Sequence, residues 1–189
     1  GRAVSVHAYW SVGSLLPQLG LVCAPLHAVG IEEFGAPAVL QPGEFRDPVD
    51  KPGWVTVELK AAALNWHDVL VRRGRYCSPL PHVLGADGAG VRRDTGEHVV
   101  VIPSLHWGDR IEAPGPEWEI LGDHIPGTYA ELVSVPADCL APKPAGFSWV
   151  QAAALPLVGV TTYRDTARRL TLCPRRRHRY RGAVHRAVH

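Results

Sequence analysis

Short extended segments separated by glycine and proline constrain the fold of this chain more than any other feature. Residues Trp54–Lys60 alternate between apolar and polar side chains, the pattern of a strand with one buried face. The run Glu97–Pro103 is almost continuously apolar, as in a strand covered on both faces. Further strands are predicted at Val83–Leu84 and Thr128–Val135. Together these segments predict a mainly β fold with short helices, either a small barrel or a sandwich.

One short helix is predicted immediately after the first of these strands. Asn65 can act as its N-cap, and Asp68, three residues later, lies where a carboxylate meets the positive end of the helix dipole. Gly74 supplies the left-handed residue that ends such a helix. Three apolar residues at i, i+3 and i+4 are expected to form its buried face: Trp66, Val69 and Leu70.

A second helical region follows the strands. Ser148 and Gln151 have the spacing of a capping box, and an alanine-rich run with high helix propensity comes next. Pro156 is expected to break this helix, and residues 158–163 to continue as a second segment.

The glycines of Gly85–Gly90 run GxxGxG rather than GxGxxG, and no helix pattern follows them. We therefore interpret this run as a tight bend of the barrel and not as a phosphate-binding loop.

The net charge of +2 hides a strong asymmetry between two parts of the chain. Up to Tyr163 there are 11 Lys/Arg and 17 Asp/Glu, a balance of −6, whereas residues 164–189 hold 9 Arg and one Asp, a balance of +8. This last segment has no apolar period and is predicted to be a disordered, arginine-rich tail.

Cysteine spacing and hydropathy indicate in which cellular compartment the protein is expected. The four cysteines lie far apart with no CxxC pair, which favours reduced thiols in a cytoplasmic protein. No apolar block is long enough to span a membrane, so we expect no membrane partner.

Several motifs follow one another in the order found in the medium-chain dehydrogenase/reductase superfamily. They are Asn65–Asp68, then Arg72, Gly74 and Tyr76, then Gly85–Gly90, Gly127–Glu131 and Ala152–Leu157. Over residues 28–163 the chain resembles the N-terminal catalytic domain of that superfamily, in the pattern of its zinc-free quinone-oxidoreductase branch.

The resemblance implies a GroES-like, partly open β-barrel and a particular domain organisation. Residues 1–27 would be an extension outside the match, 28–150 the catalytic domain, 151–163 a helix leading to a nucleotide-binding Rossmann domain, and 164–189 the tail. No strand ending in a glycine-rich phosphate turn follows Tyr163, so the Rossmann domain is predicted to be missing or truncated, by truncation or a reading-frame error.

The resemblance also implies an activity. It is that of an oxidoreductase using NADP(H) or NAD(H) on a small carbonyl or quinone substrate, of quinone/enone or alcohol–aldehyde type. The helix over residues 151–163 would expose apolar surface if nothing covered it, so a homo-oligomer is also expected.

Zinc is not expected, because the ligand positions of the zinc alcohol dehydrogenases are changed. Asn65 stands where those enzymes have cysteine, and Ala86–Asp87 where they have His-Glu. Neither an amide nor a methyl group replaces a thiolate or an imidazole as a zinc ligand. The region Gly108–Glu119, matching their structural-zinc lobe, holds no cysteine.

The candidate catalytic residues are Asn65, His67, Asp68 and Tyr76. By resemblance, Asn65 would contact cofactor or substrate, Asp68 would organise it, and Tyr76 would be a hydroxyl donor or a ring wall. His67 is the neighbour able to move a proton near neutral pH. Thr161 or Thr162 matches a threonine that approaches the nicotinamide in the family. The candidate cofactor-binding residues are therefore Asn65, Thr161 and Thr162.

Other interpretations stay open for the same residues. Asn65 and Asp68 could be only a helix cap, Tyr76 only an aromatic at the core edge, and His67 a packed or solvated histidine. For the whole chain, the alternatives are an inactive GroES-like remnant and, ranked last, nucleic-acid binding through the arginine-rich tail.

Overall fold

The structure, a computed structural model, describes residues 26–48, 51–110 and 113–172. The strands within these residues are β1 (Leu26–Ile31), β2 (Gln41–Phe45), β3 (Trp54–Ala63), β4 (His82–Val83), β5 (Asp87–Arg92), β6 (His98–Val101), β7 (Ser104–Leu105), β8 (Glu119–Ile120), β9 (Leu132–Pro136) and β10 (Leu140–Pro142). The α-helices are α1 (Trp66–Arg72), α2 (Trp149–Ala153) and α3 (Pro156–Leu172).

A five-stranded antiparallel sheet in the order β10-β6-β5-β3-β9 forms the centre of the molecule. A second sheet, β2-β1-β4, joins it where Ala28 bridges to Ala130 and the Val29 N–H donates to the Tyr129 carbonyl at 2.7 Å. One apolar core includes Val57 and Val133 of the five-stranded sheet, and a separate cluster of Ile31, Val71 and Leu84 packs beneath the second sheet. The predicted mainly β, partly open barrel is therefore confirmed.

The alternating segment at Trp54–Lys60 is a strand, as predicted, and it continues to Ala63. Its pairing with β5 shifts register between Leu59 and Ala61, which is a bulge in the strand that leads to α1. The apolar run at 97–103 holds β6, whose last three residues are buried. The strand predicted from Thr128 begins only at Leu132, after a stretch bonded to loop carbonyls at Leu84 and Gly85.

The predicted bend at Gly85–Gly90 is confined to Gly85, which has a φ of +107°. From Asp87 onward the same run is a central strand, β5, paired on both sides. Its glycines serve close packing between strands, because a Cβ at Gly90 would lie 2.1 Å from the carbonyl oxygen of Glu58. Interpreting the whole run as a bend was therefore wrong.

Helix α1 begins at the predicted residue, but it buries a different face. Asn65 is its N-cap, and Gly74 follows it with a φ of +75°. The buried residues are Asp68, Val71 and Arg72, whereas Trp66 is 69% exposed. The predicted apolar stripe was wrong because hydrogen bonds to Asp68 and Arg72 turn that side of the helix inward.

The predicted capping box at Ser148 is present, with the Gln151 N–H donating to Ser148 Oγ at 3.2 Å. Pro156 separates α2 from α3, as expected, but α3 runs on to Leu172. The first nine residues assigned to the tail are therefore helical, and the rest of the tail and residues 1–25 lie outside the described residues. Across the described ranges, no helix combines the length and apolarity needed to cross a membrane.

Candidate active site

A cavity of about 240 Å³, broadly open to solvent, lies between the start of α1 and the first turns of α3. Its lining consists of Asn65, Trp66, His67, Leu157, Val158, Thr161 and Thr162. The fold thus brings together two of the predicted catalytic residues and all three predicted cofactor-binding residues. Asp68 and Tyr76 are not part of the lining.

Asn65 links the entrance of α1 to the central sheet. Its side-chain amide donates to Asp87 Oδ2 at 3.0 Å, and its backbone N–H donates to Asp68 Oδ2 at 2.7 Å. The residue is therefore held at two points while it faces the cavity, which favours an orienting role.

Asp68 is buried beneath Asn65 and also accepts a hydrogen bond from the Tyr129 hydroxyl at 2.8 Å. Burial raises the pKa of Asp68, and the hydrogen bonds from Asn65 and Tyr129 oppose that shift. Burial and the charge of Asp68 also raise the pKa of Tyr129, so the phenol stays protonated and donates. Asp68 thus positions the Asn65 backbone and does not face the cavity.

His67 forms a dyad with a carboxylate that the sequence analysis did not single out. Its Nε2 lies 2.5 Å from Asp123 Oδ1, and each side chain is only 9% exposed. The Tyr76 ring packs against the imidazole, with centroids 4.8 Å apart and planes tilted by 47°. Tyr76 thus lies beside His67, and its role as a ring wall or a hydroxyl donor stays a prediction.

The loop that carries Asp123 is itself anchored. His82, almost fully buried, lies with Nε2 2.8 Å from the Gly122 carbonyl oxygen. Burial lowers the pKa of His82, so the ring is neutral at pH 7 and its Nε2–H donates to that carbonyl. Asp123 is therefore presented to His67 from a fixed loop.

The two threonines lie one after the other on α3. The Thr161 hydroxyl donates to the Leu157 carbonyl one turn earlier, at 2.7 Å, so only its lone pairs remain for a ligand. Thr162 is exposed beside it. This wall offers hydroxyl groups next to the apolar side chains of Leu157 and Val158.

Asp87 is 1% exposed and connects the two walls of the cavity from below. Its Oδ2 accepts from the Asn65 amide at 3.0 Å, and its Oδ1 accepts from the Leu157 N–H at 2.8 Å. Burial raises the pKa of Asp87 from 3.8 to about 6, against the effect of both hydrogen bonds.

This shift predicts an unusual dependence of stability on pH. Between pH 4 and pH 6 the unfolded chain has an ionised Asp87 while the folded chain keeps the proton, so the free energy of unfolding falls as pH rises through that window. The expected loss is at most about 3 kcal/mol between pH 4 and pH 7. Denaturant unfolding of the wild type and of Asp87→Asn across this range measures it.

The matched variant isolates this contribution from that of other carboxyl groups. Because Asp87→Asn cannot ionise, the difference between the two stability curves should change in this window and be flat above pH 7. Parallel curves for the two proteins would contradict the prediction.

Sequence reasoning missed Asp87 and Asp123 as site residues. Asp87 carried a usable signal, since an acidic side chain is unusual within a run of glycine and alanine. Asp123 carried none, because it meets His67 only through a contact between residues 56 positions apart in the chain.

The residues present do not fit a zinc ion at the position used by zinc-dependent relatives. The Asn65 amide is a hydrogen-bond donor to Asp87, and Ala86 presents a buried methyl group. No cluster of three or more His, Cys, Asp or Glu with metal-binding geometry occurs in the part of the chain that the structure describes.

The fold and the cavity define a class of protein, that of GroES-like barrel domains with a cleft beside the first helix. The family model of the alcohol dehydrogenase GroES-like domain matches residues 51–145, about half of the chain. The chain belongs to this family and, through it, to the medium-chain dehydrogenase/reductase superfamily.

Individual relatives agree with this assignment. The chain is 33% identical over 136 residues to Quinone oxidoreductase 1 of Escherichia coli, covering 71% of this chain and 38% of that protein. It is 37% identical over 113 residues to an NADPH-dependent alkenal/one oxidoreductase of Arabidopsis thaliana, covering 58% and 28%. A crystal structure of an NAD-dependent alcohol dehydrogenase superposes with a TM-score of 0.69 at 41% identity, covering 73% and 45%. The chain thus spans less than half of the length of these relatives.

Proposed function

We propose that this chain is the substrate-side domain of an NAD(P)H-dependent oxidoreductase that reduces a quinone or a carbonyl-conjugated substrate. The observation that carries the proposal is the cavity that joins Asn65 and His67 on one wall to Thr161 and Thr162 on the other. Named relatives that act on quinones, alkenals and alcohols support the same class of reaction.

The cavity suits a nicotinamide ring better than a whole dinucleotide. Its volume of about 240 Å³ is below the range of roughly 300–1,000 Å³ that encloses drug-sized ligands. Thr161, Thr162 and Asn65 would supply the polar contacts to the ring's amide, and Leu157 and Val158 the apolar contacts to its face. When bound, the reduced nucleotide supplies a hydride to a substrate carbon.

The chain's own residues would supply the proton. Negative charge that develops on the conjugated oxygen during reduction would be neutralised by a proton from the protonated His67 ring. Asp123 Oδ1, 2.5 Å from Nε2, holds the ring in place. The neutral imidazole then recovers a proton from solvent, which balances the cycle.

Nucleotide binding should be visible through the fluorescence of Trp66, which lines the cavity and is 69% exposed. Adding NADPH or NADH is expected to quench tryptophan emission, and Trp66→Phe should remove much of that quenching. The control is Trp54→Phe, at the other end of the ten-residue strand β3, whose length is about 30 Å. Quenching that is absent in the wild type, or unchanged in Trp66→Phe, would count against this cavity as the nucleotide site.

The interpretation as an inactive remnant predicts a cooperative thermal transition without any nucleotide binding, so the same titration separates the remnant from the oxidoreductase domain.

Homo-oligomer formation and a cytoplasmic location remain expectations. Exposed apolar residues favour self-association, among them Leu64, Trp66, Val150, Val158 and Tyr163.

A further inference from the structure

Asp87 is the most buried charged side chain among those that contact the cavity-lining residues, yet it does not line the cavity. It is the first residue of β5, where it lies opposite Ala63 of β3. The buried Thr128 hydroxyl donates to its carbonyl oxygen at 2.8 Å. Its backbone is therefore fixed from two sides, and the carboxylate projects from a rigid position.

The two carboxylate oxygens of Asp87 reach different walls. Oδ2 accepts from the side chain of Asn65, at the entrance of α1, whereas Oδ1 accepts from the backbone N–H of Leu157. Because Pro156 has no N–H, Leu157 carries the first amide proton of α3. One carboxylate thus ties together two segments that are 92 residues apart in the sequence.

We propose that Asp87 is a positioning residue that fixes the separation between the α1 wall and the α3 wall of the cavity. It acts through Asn65 and Leu157, both of which line the cavity. The consequence for nucleotide binding rests on the proposed function. The link between the two walls, formed by the hydrogen bonds of Asp87 to Asn65 and Leu157, does not depend on it.

The chemistry of the site favours this role over that of a simple helix cap. A cap needs one acceptor, and an exposed serine or asparagine supplies it without burying a charge. Here a carboxylate is kept in a buried position, although burial raises its pKa to about 6. Asp68 and Tyr129 are the titratable groups that act on it electrostatically. Linking the two walls requires two acceptor oxygens on one short side chain, which aspartate provides.

The test compares Asp87→Asn with Asp94→Asn, which removes a charge from an exposed turn. Asparagine has one side-chain oxygen, and its amide would face the second donor, so Leu157 or Asn65 must lose its acceptor. In Asp87→Asn, we expect hydrogen exchange at Leu157 to be at least about tenfold faster, or the Asn65 side-chain amide resonances to move to solvent-like values. Binding of NADPH should weaken by about tenfold, in line with one lost hydrogen bond to a charged group. Asp94→Asn should change none of these.

A longer acid separates spacing from capping. Asp87→Glu keeps the charge and both oxygens but adds one methylene, so it should retain protection at Leu157 and still weaken NADPH binding. Full recovery of both by glutamate would show that only an acceptor is needed and would overturn the spacing role. So would unchanged Leu157 exchange, Asn65 resonances and NADPH affinity in Asp87→Asn.

The wild type provides a measurement that needs no variant and no ligand. In an NMR titration the Leu157 backbone amide and the Asn65 side-chain amide should shift together with the Asp87 carboxyl carbon, with one midpoint near pH 6. Different midpoints for the two amides would show that Asp87 does not hold both walls, even if NADPH still binds. Failure of the wild type to bind NADPH would overturn the proposed function alone, because the amide shifts still test whether Asp87 links the two walls.

Discussion

Reduction of a quinone by NADPH is expected to be about 10²- to 10⁴-fold slower in His67→Ala than in the unmodified chain, measured as kcat. His67 lines the cavity and is the proposed proton donor, and Asp123 holds its ring at 2.5 Å. Removing the imidazole leaves the developing oxyanion without a proton donor. Because the side chain is not proposed to grip the nucleotide, KM for NADPH should change little.

His67→Gln is the matched control for the His67 prediction. Glutamine can still donate a hydrogen bond to Asp123, so the loop should keep its place, but an amide does not transfer a proton at neutral pH. We therefore expect the glutamine variant to fold like the wild type and to be nearly as slow as alanine. Wild-type kcat in His67→Gln would rule out proton donation by His67.

Gly90→Ala is expected to lower the free energy of unfolding by at least about 3 kcal/mol, at the upper end of overpacking effects. The new Cβ would lie 2.1 Å from the Glu58 carbonyl oxygen, and 2.9 Å from the Leu59 Cα. These are backbone atoms of the neighbouring strand in the central sheet, so the strain cannot be relieved by moving a side chain. Denaturant unfolding followed by circular dichroism measures the loss.

A second glycine gives the control for Gly90→Ala. Gly159 lies in α3, and a Cβ there would meet nothing within 4 Å. Gly159→Ala should therefore be neutral or stabilise the chain by about 0.5–1 kcal/mol through helix propensity. Equal stability of Gly90→Ala and the wild type would mean that β3 and β5 do not approach each other as closely as described.

The local part of the fold could be predicted because local patterns determine it. Alternation identified β3, and capping residues identified the starts of α1 and α2. The buried face of α1 could not be predicted from apolar spacing, since a buried carboxylate and a buried guanidinium replace apolar residues there. Strand β5 was missed because its glycines and alanines lack the β-branched residues that mark a strand, and the close approach of β3 selects for small residues.

The candidate site, like the fold, could be predicted only in part. Family motifs indicated Asn65 and the two threonines, side-chain chemistry indicated His67, and the structure gathers all four at one cavity. Their roles remain predictions. The partners that fix them, Asp87 and Asp123, are separated from what they bind by 22 to 70 residues, and no local pattern encodes such contacts.

The Asp87 contacts also bear on the order of folding. The bond to Asn65 spans 22 residues and the bond to Leu157 spans 70, so the second closes a much longer loop at a higher entropic cost. We expect the pairing of β3 with β5 to precede both, since it sets where the carboxylate points. The cavity should therefore be among the last features to appear during refolding, and ligand binding would report native chains rather than collapsed intermediates.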